Sequence, residues 1–351
     1  MNKTKIFDCT IRDGSYAVNF KFTCPDIKNI VSRQVKLGVE YIEIGHGQGL
    51  NASSPERGES LYSDMEYIDA AMTVAKNSKI GVFCIPGIAR MEDLKMAKDH
   101  GVSFIRIGVT IDNVHKAKPY LTYAKSLGLE TMVNFMKSYS RSPQRFAEGC
   151  KTAHEMGADY VYLVDSAGCM LPEDIEAFHK AAITLCPEIK LGFHGHNNMG
   201  LGVANGLKCM ELGFAFVDCS FQGLGRSIGN IPTEMFVMAA KKKYGANVYD
   251  IDLPRLLEYG YVVLKDISDR NLNNPLELIC GYTGFHSSFL KHIYHCCCEY
   301  NVDPLRLIMA YSEIDKESID NEKLAQVAKS LPIDNFDEHP YNFRKYFSNN
   351  L

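Results

Sequence analysis

Eight short runs rich in apolar and β-branched residues punctuate the chain: KIFDCT (5–10), VEYIEIG (39–45), KIGVFCI (79–85), SFIRIGV (103–109), LETMVNF (129–135), DYVYLVD (159–165), IKLGFH (189–194) and AFVDCS (215–220). Between them the apolar positions take the spacing of amphipathic helices. The runs recur at intervals of about 25 to 40 residues, which predicts parallel βα units in place of a meander or sandwich. Eight such units close a (β/α)8 barrel, so the expected fold class is an α/β TIM barrel, assigned to residues 1–245. A bare barrel takes about 250 residues, and the chain has 351. The remainder, 246–351, lacks strand-like alternation and is expected to form a helical region folded over the barrel mouth.

In such barrels function sits at the C-terminal ends of the strands, so the polar residues there come first. Asp13 follows the first run; Glu43 and His46 end the second; Arg106 and Asn134 lie in the fourth and fifth; Asp165 closes the sixth; His194 and His196 close the seventh. Because strand side chains alternate, His194 and His196 share a face and can converge on one cation. An HxH pair alone is as much the mark of ordinary half-buried histidines. With Asp13 of DCTIRDG (8–14) as a carboxylate, the set suits an open divalent-metal site. The loop QGLGRSIGN (222–230) follows the eighth run and has the wrong spacing for a dinucleotide fingerprint. His292 and His295, with Cys296 to Cys298, are read as helix packing and not as a second metal site.

Composition narrows the picture further. A net charge of −4 and the absence of a long basic run give no footing for nucleic acid. Twelve cysteines without an extracellular spacing pattern, and no secretory segment at the start, lead to the expectation of a reducing cytoplasm. No apolar stretch has the length of a membrane span.

Several separated motifs, in order, resemble one superfamily. They are TIRDG (10–14), IEIGHGQGL (42–50), IPGIA (85–89), LVDSAG (163–168), GFHGHNNMGLGVAN (192–205), the GxGxxxGN loop ending at Asn230, and GYTGFHSSFLKH (281–292). The chain resembles the metal-dependent lyases and synthases that include 3-hydroxy-3-methylglutaryl-CoA lyase, isopropylmalate synthase and 4-hydroxy-2-oxovalerate aldolase, and is most similar to the aldolases. The resemblance implies Asp13, His194 and His196 as metal ligands, with Asn230 as a further candidate. Two imidazoles and a carboxylate favour Mn2+, with Mg2+, Co2+ and Zn2+ also compatible. The implied reaction cleaves or forms a 4-hydroxy-2-oxo acid, giving pyruvate or a related 2-oxo acid and an aldehyde. Arg12 is the expected donor to charge developing on the keto oxygen, and Ser166, Glu43 and His46 are expected near substrate.

The proton-transfer group is where the chain departs from these relatives. The aldolases carry His two residues after the DG of the opening motif and Tyr in a GVYSSF-like segment. Here Tyr16 holds the first place and His286 the second, an exchange of residue types. An imidazole titrates near neutrality and a phenol near 10, so His286 is the expected base and Tyr16 its partner. The exchange leaves the aldehyde portion of the substrate open. The aldolase type also implies a homo-oligomer and an acylating aldehyde dehydrogenase as partner. The alternatives are an acyl-CoA condensing synthase or lyase of the same superfamily, and a non-catalytic barrel that serves as a binding partner.

Overall fold

The computed structural model describes residues 4–268, 272–316, 318–339, 343, 344 and 347. All eight expected strands form: β1 (Lys5–Asp8), β2 (Tyr41–Ile44), β3 (Lys79–Cys84), β4 (Phe104–Val109), β5 (Glu130–Phe135), β6 (Tyr160–Asp165), β7 (Leu191–Gly195) and β8 (Phe216–Cys219). Every neighbouring pair is parallel, and β8 returns to β1 with Lys5 opposite Phe216 and Phe7 opposite Asp218, so the sheet is a closed barrel in chain order. The helices between strands are α1 (Cys24–Lys36), α2 (Asp64–Met72), α3 (Met91–Asp99), α4 (Lys118–Ser126), α5 (Pro143–Glu155), α6 (Pro172–Leu185) and α7 (Gly202–Leu212). Their starts are written locally. Thr23 before α1 and Ser63 before α2 form reciprocal capping boxes with Asp26 and Glu66, which satisfies amide groups that a helix end leaves open.

The chain divides into two compact units, Met1–Phe236 and Val237–Leu351, with the division inside α8 (Thr233–Tyr244). The second unit is helical, with α9 (Leu253–Leu264), α10 (Pro275–Thr283), α11 (Leu290–Tyr300), α12 (Pro304–Ser312) and α13 (Asn321–Ser330). Among the described residues no helix is long and apolar enough to cross a membrane.

Strand alternation builds the barrel interior in layers. Phe7, Tyr41, Phe104, Met132, Tyr162 and Phe216 form a mainly aromatic cluster. Gly192 of β7 is required beside it, because a Cβ there would come 2.4 Å from the Tyr162 ring. Two residues beyond Tyr41, Phe104 and Phe216, on the same strand faces, stand Glu43, Arg106 and Asp218, all buried. The Arg106 guanidinium lies 4.3 Å from the centroid of Phe7 and 4.8 Å from that of Tyr162. A charged layer thus rests on an aromatic floor, one step nearer the C-terminal rim.

Candidate metal centre

His194 is the penultimate residue of β7, opposite Val164 of β6, and His196 follows one residue past the strand, bridged to Asn230. Their rings stand at 5.3 Å, nearly perpendicular. Asp13 begins a short 3-10 helix, Asp13–Val18, after β1. One ligand atom each of Asp13, His194 and His196 lies within 4.8 Å of the others, and all three residues are buried. The structure therefore gathers the three residues proposed from strand alternation and the DCTIRDG segment.

A chain of buried ion pairs joins two of these groups from behind. Arg12 donates to Asp13 Oδ1 at 2.6 Å and to Glu43 Oε2 at 2.7 Å. Arg106 donates to Glu43 at 2.8 and 2.7 Å and to Asp218 Oδ2 at 2.6 Å. The same Asp218 oxygen lies 2.8 Å from His194 Nδ1. A carboxylate can only accept here, so Nδ1 carries the proton and Nε2 keeps its lone pair for a cation. Three carboxylates, Asp13, Glu43 and Asp218, against two guanidiniums, Arg12 and Arg106, leave the network with one negative charge in excess. A divalent cation would turn that to one positive charge, which suits an anionic substrate.

The electrostatics keep Asp13 and His196 in forms that could bind a cation. Burial pushes the Asp13 carboxyl up, but the Arg12 guanidinium and the two imidazoles outweigh it and hold it well below the usual range. Glu43 is likewise held low, with Arg106 and Arg12 overcoming its burial. Burial pulls His196 down, so its imidazole is neutral near pH 7. Cys9, His194 and Asp218 also lie close together. Asp218 is already engaged there, however, and burial pushes the Cys9 thiol well up.

Orphaned polar atoms provide a test of fit. Among the described residues, buried His196 Nδ1, Asn230 Oδ1, Asn134 Oδ1 and Asp218 Oδ1 lack a hydrogen-bond partner. Such atoms are costly unless something satisfies them. Two imidazole nitrogens, a carboxylate and an amide oxygen are the donor chemistry of a divalent cation site, and the residues present fit one. Asn230 is tied in through its other amide atom, Nδ2, which donates to Asp13 Oδ2 at 3.0 Å and to Leu224 O at 3.1 Å.

Other residues proposed from sequence take different positions. Glu43 and His46 were expected near substrate. Glu43 gives both oxygens to Arg12 and Arg106, so it sets Arg12 in place. His46 has Nε2 at 3.1 Å from Gly58 O, accepts from Gln48 N at Nδ1, and stacks on Phe20 at 4.2 Å. Both ring nitrogens are used to fold the loop after β2. Ser166 is half-buried at the end of β6, where its Oγ accepts from Lys137 N. Asp165 accepts from Cys169 N and Met170 N and so shapes the loop before α6. Tyr16 lies in the 3-10 helix that Asp13 opens, edge-on to Phe20 at 5.1 Å. His286 belongs to the second unit, where it is exposed and caps the 3-10 turn Ser287–Phe289 by accepting from Ser288 N.

Sequence reasoning missed Asp218, which links Arg106 to His194. The signal was available, since Asp218 interrupts an apolar run on the same strand face as Phe216. It also missed Arg226, whose backbone N donates to Asp13 Oδ2 at 3.1 Å.

Comparison with known proteins identifies the family. The HMGL-like family matches residues 3–263. The chain is 36% identical over 307 residues to a 4-hydroxy-2-oxovalerate aldolase of Moorella thermoacetica, covering 87% of this chain and 89% of that one. It is 34% identical over 289 residues to an oxaloacetate decarboxylase of Mycobacterium tuberculosis, covering 82% and 84%. The structure of a hydroxymethylglutaryl-CoA lyase from Pseudomonas aeruginosa is similar in fold, with a TM-score of 0.67 at 18% identity over 80% of this chain and 98% of that one. The family match runs through all eight barrel strands and the segments that bear Asp13, His194 and His196, and the chain belongs to the HMGL-like family.

Proposed function

We propose that the protein is a carbon-carbon lyase, a divalent-metal-dependent aldolase acting on a 4-hydroxy-2-oxo acid and releasing pyruvate or a related 2-oxo acid with an aldehyde. The observation that carries this is the convergence of Asp13, His194 and His196 beside an arginine with a donor to spare. Those three residues would hold the cation, Asn230 Oδ1 is the further ligand proposed, and Mn2+ is the ion that the donor set favours. A cation bound there supplies Lewis acidity at the keto oxygen of a 2-oxo acid.

The chain's own groups do the rest. As the bond between C3 and C4 breaks, its electron pair moves toward C2 and negative charge gathers on the keto oxygen. Arg12 is held through Nε and Nη1 and lies over the Phe83 ring at 5.1 Å, while its Nη2 has no partner among the described residues. A donor fixed in advance at a buried site stabilises such charge without reorganising. The 4-hydroxyl must lose its proton. Burial pushes the Tyr16 phenol up, so Tyr16 serves better as a protonated hydrogen-bond donor than as a base. The assignment of His286 as the base rests on the sequence. Ser166 is proposed to bind the substrate carboxylate through its hydroxyl hydrogen, since its oxygen already accepts from Lys137 N.

A second reading, oxaloacetate decarboxylation, is favoured by the same Tyr16. Loss of carbon dioxide generates the same pyruvate enolate without removing a hydroxyl proton. A homo-oligomer, a dehydrogenase that consumes the aldehyde, and a cytoplasmic location, which would suit twelve free thiols, belong to this proposal.

The test is to incubate Mn2+-loaded protein with a panel of 4-hydroxy-2-oxo acids and oxaloacetate, and in reverse with pyruvate plus aldehydes or acyl-CoAs, identifying products by mass. Aldehyde release that disappears in His286→Ala, with decarboxylation retained, supports the aldolase with His286 as base. Normal cleavage by His286→Ala together with a dead Tyr16→Phe reverses the base assignment. Product from acyl-CoA alone overturns the aldolase.

A further inference from the structure

The loop after β8 brings one more cation to the rim of the metal centre. Gly225 and Arg226 run directly along Asp13: a Cβ on Gly225 would come 2.3 Å from Asn230 Nδ2 and 2.8 Å from Asp13 Oδ2. Arg226 N binds Asp13 Oδ2, and Gly229 N closes a turn onto Arg226 O at 3.0 Å. The backbone of Arg226 is thus fixed against a proposed metal ligand. Its side chain turns to Tyr16, with the guanidinium carbon 5.1 Å from the ring centroid. Tyr16 is itself held in place, because its ring fills the space that a Cβ on Gly47 would need, 2.3 Å away, and meets Phe20 edge-on.

Arg226 is exposed and, among the described residues, has no carboxylate partner. Its neighbour Arg12, by contrast, is paired with two. The inner network, once it holds a divalent cation, carries one positive charge, which the 1-carboxylate of a 2-oxo acid neutralises. Arg226 is then a surplus cation, seated on an aromatic face and next to the residue that replaces the usual histidine. A cation–π contact at an exposed site is weak, and the planar fork of an arginine is suited to a carboxylate.

We propose that Arg226 is a specificity-determining residue that binds a second carboxylate, at the aldehyde-forming end of the substrate, so that the preferred substrate is a dicarboxylic 4-hydroxy-2-oxo acid. This deepens the aldolase reading and rests on it. Tyr16 acts as a positioning residue, presenting the guanidinium toward the barrel mouth.

Two measurements separate this inference from the reading beneath it. The first is calorimetric binding to the Mn2+-loaded protein of 2-oxoglutarate against 2-oxohexanoate, which lacks the distal carboxylate. The second is condensation of pyruvate with 4-oxobutanoate against pentanal, read as a ratio of kcat/KM. The wild type is expected to prefer the carboxylate-bearing member of each pair by tenfold or more. Arg226→Gln should bring both ratios close to one, and Arg226→Lys should keep part of each. The contact to Asp13 uses backbone, so these side-chain changes leave it in place, and metal content measured alongside confirms this. Ratios near one in the wild type overturn the proposal. So does an equal loss for both members of a pair in Arg226→Gln, which would make the arginine a partner of Tyr16 in proton handling. If no aldehyde condenses while the binding preference and its loss in Arg226→Gln are both seen, the aldolase reading falls and the second-carboxylate site stands.

Discussion

Replacing Asp218 by Asn tests whether the ion-pair network behind the metal centre governs metal affinity. The substitution conserves shape, so no cavity opens, but it removes the charge that faces both His194 Nδ1 at 2.8 Å and Arg106 Nη1 at 2.6 Å. Loss of such an outer partner costs about 10- to 100-fold in metal affinity, or about 1.4 to 2.7 kcal/mol. The fold is affected separately. Breaking a buried ion pair costs about 3 to 5 kcal/mol, and the low end applies because Arg106 keeps Glu43 on Nε and Nη2. Titrating Mn2+ into the metal-free protein by calorimetry reads the first effect, and urea unfolding of the same metal-free protein reads the second. Asp218→Ala should be worse on both. Wild-type affinity in Asp218→Asn, with stability reduced, would refute the idea that Asp218 sets the His194 tautomer and leave it a purely structural counter-ion.

Three further outcomes are expected. Arg12→Lys keeps a charge but cannot hold both Glu43 and Asp13 while aiming a third donor, so turnover should fall about a hundredfold with metal content intact; unchanged turnover in steady-state assays would remove Arg12 from the chemistry. Gly225→Ala adds one methyl group against Asn230 and Asp13 and should lower bound metal in elemental analysis without altering charge, whereas full occupancy would mean that the loop yields freely. Burial holds Glu234 protonated up to about 8 and Asp8 up to about 7, so between the ordinary carboxylate range and pH 8 the native state keeps protons that the unfolded chain releases, and stability falls as pH rises through that window. Glu234→Gln should flatten the drop in Tm between pH 6 and 9; an unchanged slope in thermal scans would place the titrating group elsewhere.

The local pattern of the chain was enough for the barrel and for the core of its candidate site. Strand periodicity, turn residues and helix caps act over a few residues, which is why all eight strands fall within the eight apolar runs, except that β7 extends one residue further, to Gly195. Alternation on a strand likewise placed His194 and His196 on one side, and the segment after β1 offered Asp13. Tertiary structure alone decided what the remaining charges do. Glu43, Arg106 and Asp218 lie far apart in sequence, and a charge within an apolar run reads equally well as the wet face of a strand. Only closure of the barrel turns that face inward, over an aromatic floor where water is excluded and each charge must find another. That closure makes Glu43 a support for Arg12 and Asp218 a support for His194. His46 is drawn into a loop by two backbone groups that no periodicity reveals. Arg226 reaches Tyr16 only because β8 lies beside β1, a contact between residues 210 positions apart that is fixed by the geometry of the closed sheet.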